Sequence, residues 1–203
     1  MASVREPHLS AIIALFAASS LTAWAQDCPD LYQSLSQAEN DVLNYYLSDA
    51  ENAVIVATAA LACSRRATKE EIARLFLADA MIRSYQDDAN GSIAAFGAAR
   101  EVSPTTWNDD YGSVARESWE QAARPAGEPA TVSIRNIRHG EWLAVDGVDA
   151  ERPLLLSRGL HLVQVGRDDT ARFARRLDVA NSDAFSLVLP AVSGGDTTDS
   201  ADL

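Results

Sequence analysis

The sequence contains few of the residue types on which enzymes depend. It has two cysteines and three histidines in 203 residues, and only His139 and His161 lie beyond the first 25 residues. It has no glycine-rich phosphate-binding loop, no Gly-x-Ser-x-Gly motif and no histidine or cysteine cluster at metal-ligand spacing. We therefore predict a protein that is not an enzyme, with no catalytic residue, no metal and no cofactor.

A long apolar segment is also absent. Residues 9–21 are rich in Ala, Ile and Leu but are too few for a transmembrane helix, which needs about 20 apolar residues. Arg5 precedes this stretch, and Ala23-Trp-Ala25 follows it with the small-x-small pattern of a signal-peptidase site. We predict a signal peptide over residues 1–25, cleaved near Ala25 and Gln26, and a periplasmic or secreted protein without a membrane anchor.

The two cysteines, Cys28 and Cys63, are predicted to form a disulfide, because export places them in an oxidising compartment. Lipidation of Cys28 is not expected, since Asp27 stands where a small residue is needed. Pro29 suits the start of one helix, and Ser48-Asp-Ala-Glu51 resembles a capping box that opens a second. Two antiparallel helices would bring the two cysteines together.

Residues 26–123 are predicted to be helical. Thr68-Lys-Glu-Glu71 resembles a further capping box, apolar residues follow at helical spacing, and Ser103-Pro104 ends the pattern. Another amphipathic stretch covers residues 111–123. The region carries 7 basic and 16 acidic residues, a net charge of −9, which argues against nucleic acid or an anionic membrane as a partner.

One part of the helical region resembles a tetratricopeptide repeat. Within residues 73–106, the bulky, small and proline positions of that repeat are occupied by Phe76, Ala80, Ser92, Phe96, Ala99 and Pro104. Asp79 and Arg83 depart from the pattern, where a large apolar residue and an aromatic residue are usual. Residues 42–65 resemble a degenerate preceding unit, and a plain helical bundle is the alternative.

The resemblance implies a curved array whose concave face holds a segment of a partner protein. The candidate partner-binding residues of the helical region are its aromatic side chains Tyr45, Tyr85, Trp107 and Tyr111. The alternative role of these side chains is packing in the core or at its rim, and no surface pattern in the sequence separates the two roles.

Residues 124–129 are predicted to be a linker, because Pro125, Gly127 and Pro129 interrupt regular structure and the pattern then changes to alternation. Six short strands follow, at residues 131–134, 142–145, 153–156, 161–165, 172–179 and 185–189. Their spacing predicts a small antiparallel β-sandwich over residues 130–190. The predicted fold class is multidomain α plus β: a helical hairpin or repeat array, then the sandwich, then a disordered acidic tail over residues 191–203.

The strand region resembles a PEGA domain. The resemblance rests on His139-Gly-Glu-Trp-Leu-Ala-Val-Asp-Gly147, on Pro153-Leu-Leu-Leu156 and on Gly159-Leu-His-Leu-Val-Gln-Val165. It departs from the family where Arg138-His-Gly-Glu141 replaces the usual Pro-Glu-Gly-Ala. PEGA domains occur in envelope and surface proteins and resemble interaction modules. The resemblance thus implies a non-enzymatic interaction or scaffold protein of the bacterial cell envelope with a protein partner.

The strand region adds three candidate partner-binding residues, Trp142, Arg172 and Arg176. An exposed Trp142 would suit the alternative function, which is binding of a cell-wall or surface polysaccharide. Arg172 and Arg176 share one strand face. That face is either solvated or meets an acidic partner, a phosphate-bearing polymer or the acidic helices of a second copy.

Two further polar residues of the strand region are predicted to be structural. His161 alternates with Val163 and Val165 and so faces the apolar side. Asp146 is predicted to form a tight turn with Gly147. No calcium site is expected in this acidic loop, because it lacks a recognised ligand spacing.

Overall fold

The computed structural model describes residues 28–179 and 184–191. Within these ranges, α-helices precede β-strands, so the chain is a mixed α and β protein with its helices first. The predicted signal peptide and all but the first residue of the predicted acidic tail lie outside the described residues. Across the two described ranges, no helix has both the length and the apolar character needed to cross a membrane.

The helices form two hairpins followed by a fifth helix. They are α1 (Leu31–Leu43), α2 (Leu47–Leu61), α3 (Lys69–Tyr85), α4 (Ala89–Val102) and α5 (Gly112–Gln121), the last preceded by a 3-10 turn at Asp109–Tyr111. Helix α3 lies at the centre, since it contacts α1, α2 and α4. Its residues from Ile72 to Ile82 are buried except Arg74.

The sequence explains where most helices begin. Thr68 and Glu71 cap α3 reciprocally, so the predicted capping box is confirmed. The capping box predicted at Ser48 is wrong, because α2 begins one residue earlier, at Leu47. The carbonyl of Tyr46 already accepts the first hydrogen bonds of that helix, which places Ser48 inside the first turn.

Cys28 and Cys63 form a disulfide, as predicted, with Cα atoms 5.7 Å apart. The bond ties the chain just before α1 to the chain just after α2 and spans 35 residues. In the chain-entropy model, a loop of this length stabilises the fold by about 3–4 kcal/mol. A structural disulfide is typical of proteins that work outside the reducing cytosol.

The described strands form two small sheets. They are β1 (Ala130–Arg135), β2 (Glu141–Val145), β3 (Val148–Asp149), β4 (Leu154–Leu156), β5 (Gly159–Arg167), β6 (Thr170–Val179) and β7 (Ala184–Val188). One sheet has the order β4-β1-β7 and the other the order β3-β2-β5-β6. The six predicted strands correspond to β1, β2 and β4 to β7. The two-residue β3 is too short to show an alternating pattern.

The sheets differ in one respect from the predicted antiparallel arrangement. The pair β1 and β7 runs parallel, whereas the other pairs among the described strands run antiparallel. A parallel pair joins segments that are far apart in the chain, so no local turn signal announces it. Apolar residues of the two sheets pack together, among them Val163 and Val165 of β5 with Leu187 of β7.

Strand β5 is buried on both faces, and this joins the strands to the helices. Val163 and Val165 face the other sheet, while Leu162 and Gln164 face the helices and are 0% and 1% exposed. Leu162 belongs to the same apolar cluster as the helix residues, and Ala174 of β6 packs against that cluster. The helices and strands therefore share a core, which the predicted division at residues 124–129 does not reveal.

The Gln164 side chain holds the loop between α2 and α3. The backbone N–H of Ala67 donates to its Oε1 at 3.1 Å, and its Nε2 donates to the Leu61 carbonyl at 2.9 Å. Beside it, the N–H of Ala171 donates to the Ser64 carbonyl at 2.7 Å. The strands thus satisfy backbone groups that the helical hairpins leave without partners.

We expect Gln164→Leu to destabilise the whole protein, because it leaves the Ala67 N–H and the Leu61 carbonyl buried without a partner. Each such group costs about 1–3 kcal/mol, so the free energy of unfolding should fall by roughly 2–6 kcal/mol. Urea denaturation followed by circular dichroism measures it. Gln121→Leu, on the exposed side of α5, is the control and should change stability by less than about 0.5 kcal/mol. Equal stability of the two variants would contradict the shared core.

Candidate functional site

Four polar residues meet where the helices join the strands, and we call them the junction cluster: Arg124, Asp146, Ser157 and His161. Arg124 comes from the connection after α5, Asp146 from the turn between β2 and β3, and His161 from β5. The side chains of Arg124 and His161 are only 7% and 4% exposed. The predicted linker thus contains a buried charged residue, because Arg124 turns inward against the strands.

The carboxylate of Asp146 organises this cluster. His161 Nδ1 lies 2.7 Å from its Oδ2, which also accepts from Arg124 Nη2 at 3.0 Å, and the N–H of Leu162 donates to its Oδ1 at 2.8 Å. Burial acts to raise the pKa of Asp146, but the hydrogen bonds from His161 and Leu162 and the charge of Arg124 outweigh it. The pKa therefore lies below its usual value.

Ser157, His161 and Asp146 are the residue types of a Ser-His-Asp catalytic triad, and His161 lies between the other two. Their distances, however, differ from those of a triad. Ser157 Oγ lies 3.5 Å from His161 Nε2, beyond the usual distance of about 2.6–3.2 Å between a nucleophile and its base. The carbonyl of Ser157 is nearer to Nε2, at 2.9 Å. Arg124 Nη1 lies 2.8 Å from Nε2 and donates to Ser157 Oγ at 2.9 Å. The arrangement suits a charge network that fixes the junction.

A cleft of about 280 Å³ opens beside the junction cluster, and Lys69 and Glu101 also line it. Arg124 Nε lies 2.8 Å from Glu101 Oε2, an ion-pair distance with an angle outside hydrogen-bond geometry. Arg124 therefore meets acidic groups from both the helices and the strands. In the part of the chain that the structure describes, no group of three His, Cys, Asp or Glu side chains is placed to hold a metal ion.

Asp146→Asn should weaken the protein in a pH-dependent way. Because the pKa of Asp146 is lowered by folding, its contribution is complete above about pH 4, the ordinary aspartate pKa, and is lost as the pH falls through the folded-state value. We expect a loss of about 2 kcal/mol at neutral pH and a difference from the unsubstituted protein that shrinks below about pH 4. Urea denaturation across this pH range measures it.

Asp178→Asn is the matched control, since Asp178 is exposed on β6 and its substitution should cost little at any pH. A difference for Asp146→Asn that stays constant as the solution is acidified would contradict the assignment of the carboxylate as the charged centre of the cluster.

A second concave surface lies on α1, α3 and the chain that follows α4, and we call it the helical groove. It encloses about 680 Å³ between Tyr32, Glu39, Glu70, Arg74 and the segment 103–110. The strands contact the other helices of the two hairpins, α2 through β6 and α4 through β5. The strands also reach α3 at Asp79, which pairs with Arg176 of β6. The groove therefore lies on α1 and on the Arg74 side of α3, which the strands leave open.

Arg74 lies in the helical groove and is held in place by its neighbours. Its Nε and Nη2 each donate to the Glu39 carboxylate at 2.7 Å, and its guanidinium lies 5.3 Å from the centre of the Tyr32 ring. Tyr32 is 68% exposed. Among the described residues that line the groove, Arg74 is the one basic side chain, and four are acidic: Glu39, Glu70, Asp109 and Asp110. Arg116, which lies outside this lining, pairs with Asp109 at 3.0 Å. The groove is thus acidic, with an aromatic surface at one side.

Of the predicted partner-binding residues, Trp107 lines this groove, whereas the neighbouring Tyr111 does not. Trp107 lines the groove, half-buried, with its ring centroid 5.9 Å from Tyr111 and 5.7 Å from Trp119. Tyr111 is 7% exposed, so its expected place on the surface is corrected: it packs in the core. Burial raises the pKa of its hydroxyl, which finds no hydrogen-bond partner among the described residues.

Tyr45 and Tyr85 form an exposed aromatic pair, with ring centroids 5.1 Å apart. Tyr85 ends α3, roughly 16 Å along the helix from Arg74 at the usual rise per residue. The structure therefore brings these two candidates together but places them apart from the helical groove.

Arg172 and Arg176 both pair with carboxylates of the same chain. Arg176 Nη1 lies 3.1 Å from Asp79 Oδ1 on α3, and Arg172 Nη2 donates to Glu141 Oε2 at 2.8 Å. The acidic surface that meets Arg176 is thus the chain's own helical region. The sequence indicated the complementary charges but not that they lie within one copy.

Trp142 is also engaged within the chain. The guanidinium of Arg66 lies 4.8 Å from the centre of its indole ring, and its Nε1 donates to the Asp168 carbonyl at 2.9 Å. The ring is therefore half-covered, and it is not an open aromatic platform.

Three residues of these sites are not predicted from the sequence, and they are Tyr32, Arg74 and Arg124. Tyr32 and Glu39 stand seven residues apart and so share one side of α1, a weak signal that the groove lies there. Arg124 adjoins Pro125 in a segment that otherwise indicates a linker, and nothing in the sequence marks it as buried. Neither a protein-family model, nor a curated protein, nor a solved structure matches this chain.

Proposed function

We propose that this chain is a non-enzymatic interaction or scaffold protein of the bacterial cell envelope, and that its helical groove holds an extended segment of a partner protein. The observation that carries this proposal is the asymmetry of the helical region. The strands contact α2, α4 and the Asp79 side of α3, whereas α1 and the Arg74 side of α3 present an open groove of about 680 Å³. Concave surfaces of stacked helical hairpins are suited to binding extended segments.

The packing of α3 against α4 supports a tetratricopeptide-like arrangement of the hairpins. The bulky and small residues that carry the resemblance are buried, and they are Phe76, Ala80, Ser92, Phe96 and Ala99. Ser92 Oγ donates to the Ala80 carbonyl at 3.0 Å, a close approach that small side chains permit. In such an array the first helix of each hairpin lines the concave face, which here corresponds to α1 and α3.

The two departures from the repeat pattern have a structural explanation that fits this proposal. Asp79 Oδ2 accepts from Arg83 Nε at 2.9 Å, and Asp79 Oδ1 pairs with Arg176 of β6. Polar residues replace the usual apolar and aromatic ones because this side of α3 binds the strands.

The strand region is proposed to be a PEGA-like β-sandwich. Support comes from the apolar clusters that residues of both sheets form together. The departure from the family motif at residues 138–141 also has a local role. Glu141 accepts from the Arg138 N–H at 2.8 Å and pairs with Arg172, so it closes the turn before β2 and fixes the start of β6.

The envelope location rests on the disulfide together with the signal-peptide pattern of the first 25 residues. The charge of the groove indicates the chemistry of the partner. Four acidic groups line it beside Arg74, so a segment with basic side chains is electrostatically complementary. The alternative, a polysaccharide binder, has less support because Arg66 covers part of the Trp142 ring.

We expect a photoreactive amino acid in place of Tyr32 to crosslink to a protein partner in cells that produce the chain natively. The same residue in place of Tyr46 is the matched control, since Tyr46 is 61% exposed but lies outside the groove. Reversal of the groove charge by Glu70→Lys with Asp110→Lys should lower the crosslink yield at position 32 by about fivefold or more. Mass spectrometry identifies the captured protein.

Equal capture from positions 32 and 46, or a yield at position 32 that does not respond to the charge reversal, would contradict a groove-bound protein segment. Adducts with wall material alone would support the polysaccharide alternative.

A further inference from the structure

The buried histidine of the junction cluster meets an oxygen atom at each of its two ring nitrogens. Nδ1 of His161 lies 2.7 Å from Asp146 Oδ2, and Nε2 lies 2.9 Å from the carbonyl oxygen of Ser157. Asp146 belongs to the turn between β2 and β3, whereas Ser157 lies between β4 and β5. The ring therefore joins two turns of the strand region.

Neither of these oxygen atoms supplies a proton to the ring. A backbone carbonyl accepts hydrogen bonds and never donates one. Asp146 is a carboxylate at neutral pH, because its pKa lies below its usual value. A neutral histidine has one N–H and one bare nitrogen, so one of the two oxygens would face a lone pair. The imidazolium ion carries an N–H on each nitrogen and satisfies both oxygens.

Arg124 does not replace the carbonyl of Ser157 as the partner of a neutral ring. Its Nη1 lies 3.0 Å from Nδ1 of His161 and 2.8 Å from Nε2. An atom almost equidistant from the two nitrogens is not in line with either lone pair, since these point to different sides of the ring. The direction of each ring nitrogen is thus left to Asp146 or Ser157.

The ion pairs of the cluster balance only when His161 is charged. Arg124 opposes a second positive charge beside it, but it is itself paired with Asp146 at 3.0 Å and with Glu101 of α4 at 2.8 Å. With the imidazolium ion, two cations meet two carboxylates. With the neutral ring, the negative charge is in excess, and excess charge is costly in a buried place.

The elements packed around the ring bring further charged groups. Lys69 of α3 lines the neighbouring cleft and is exposed. On β6 the residue opposite His161 is Leu177, and Arg175 and Asp178 of that strand are exposed and opposite in sign. Arg158 lies against the loop before β1. Water and salt screen exposed charges, so the buried pairs decide the balance.

We propose that His161 is a pH-dependent switch at the junction of helices and strands. The charged ring donates to Asp146 and to Ser157 and holds the two turns together. When the pH rises beyond the ordinary histidine range, the Nε2 proton passes to water and the bond to the Ser157 carbonyl is lost. Ser157 also lines the cleft of about 280 Å³, so the charged ring fixes one wall of this cleft and the neutral ring releases it.

Nitrogen-15 NMR of the histidine rings tests the charged form without changing His161. His139→Asn leaves His161 as the one histidine beyond the first 25 residues, which assigns its signals. At about pH 6.5, where an ordinary histidine is half charged, most His161 rings should carry a proton on both nitrogens. A bare nitrogen in most of the rings at that pH would overturn the proposal.

The stability of the protein should depend on pH in the same direction. Since the fold favours the charged ring, its contribution is complete well below about pH 6.5 and is lost as the pH rises. The urea midpoint should therefore fall between about pH 5.5 and about pH 8.5, both in the unsubstituted protein and in His139→Asn, which changes an exposed histidine. His161→Asn should lose this fall. A constant or rising midpoint in the unsubstituted protein, or an equal fall in His161→Asn, would overturn the proposal.

The release of Ser157 has a readout of its own. Amide hydrogen exchange over residues 157–159, corrected for the intrinsic effect of pH, should become faster in the unsubstituted protein as the ring loses its proton. In His161→Asn the corrected rate should be fast at both ends of the pH range. A corrected rate in the unsubstituted protein that does not change with pH would overturn the switch.

Discussion

The structure depends on the face that strand β5 turns toward the helices. Leu162 enters the helical core, and Gln164 satisfies one donor and one acceptor in the loop between α2 and α3. A polar side chain is tolerated in this apolar setting because both ends of its amide are bonded. Once β5 is fixed, β6 lies against α2 and the turn between β2 and β3 reaches the start of α3. The two segments approach so closely there that a Cβ on Gly147 would lie 3.1 Å from the backbone nitrogen of Lys69.

Arginines complete this junction and explain the uneven charge of the chain. The helical region is strongly acidic, and arginines from or near the strands meet its carboxylates: Arg176 pairs with Asp79, and Arg124 pairs with Glu101. Arg124 also pairs with Asp146 of the strand region. In the other direction, Arg66 of the helical region lies 2.6 Å from Asp149 and covers Trp142. The planar, always charged guanidinium suits such half-buried pairs. The negative charge of the helical region, which indicated an external partner, is therefore partly neutralised by ion pairs within the chain.

This packing decides which surfaces remain for partners. The strands contact α2, α4 and the Asp79 side of α3, so the helical groove on α1 and the Arg74 side of α3 stays open. The groove is acidic and suits basic groups. The junction cluster is buried and pairs its charges internally, so it ties the connection after α5 to the strands.

The sequence by itself determined the local structure: the helices, six of the strands, the capping box at Thr68 and the pairing of Cys28 with Cys63. These depend on spacing, turn residues and short-range hydrogen bonds, which a linear pattern records. Only the tertiary structure decided the parallel pairing of β1 with β7, the burial of Arg124 and Tyr111, and the position of Tyr32 in the helical groove. The reason is physical. Alternation marks one buried face of a strand, whereas the second buried face of β5 arises from contacts between residues that lie about a hundred positions apart. The junction cluster and the helical groove likewise depend on contacts between different elements, such as those of Arg124 with Asp146 and of Arg74 with Glu39.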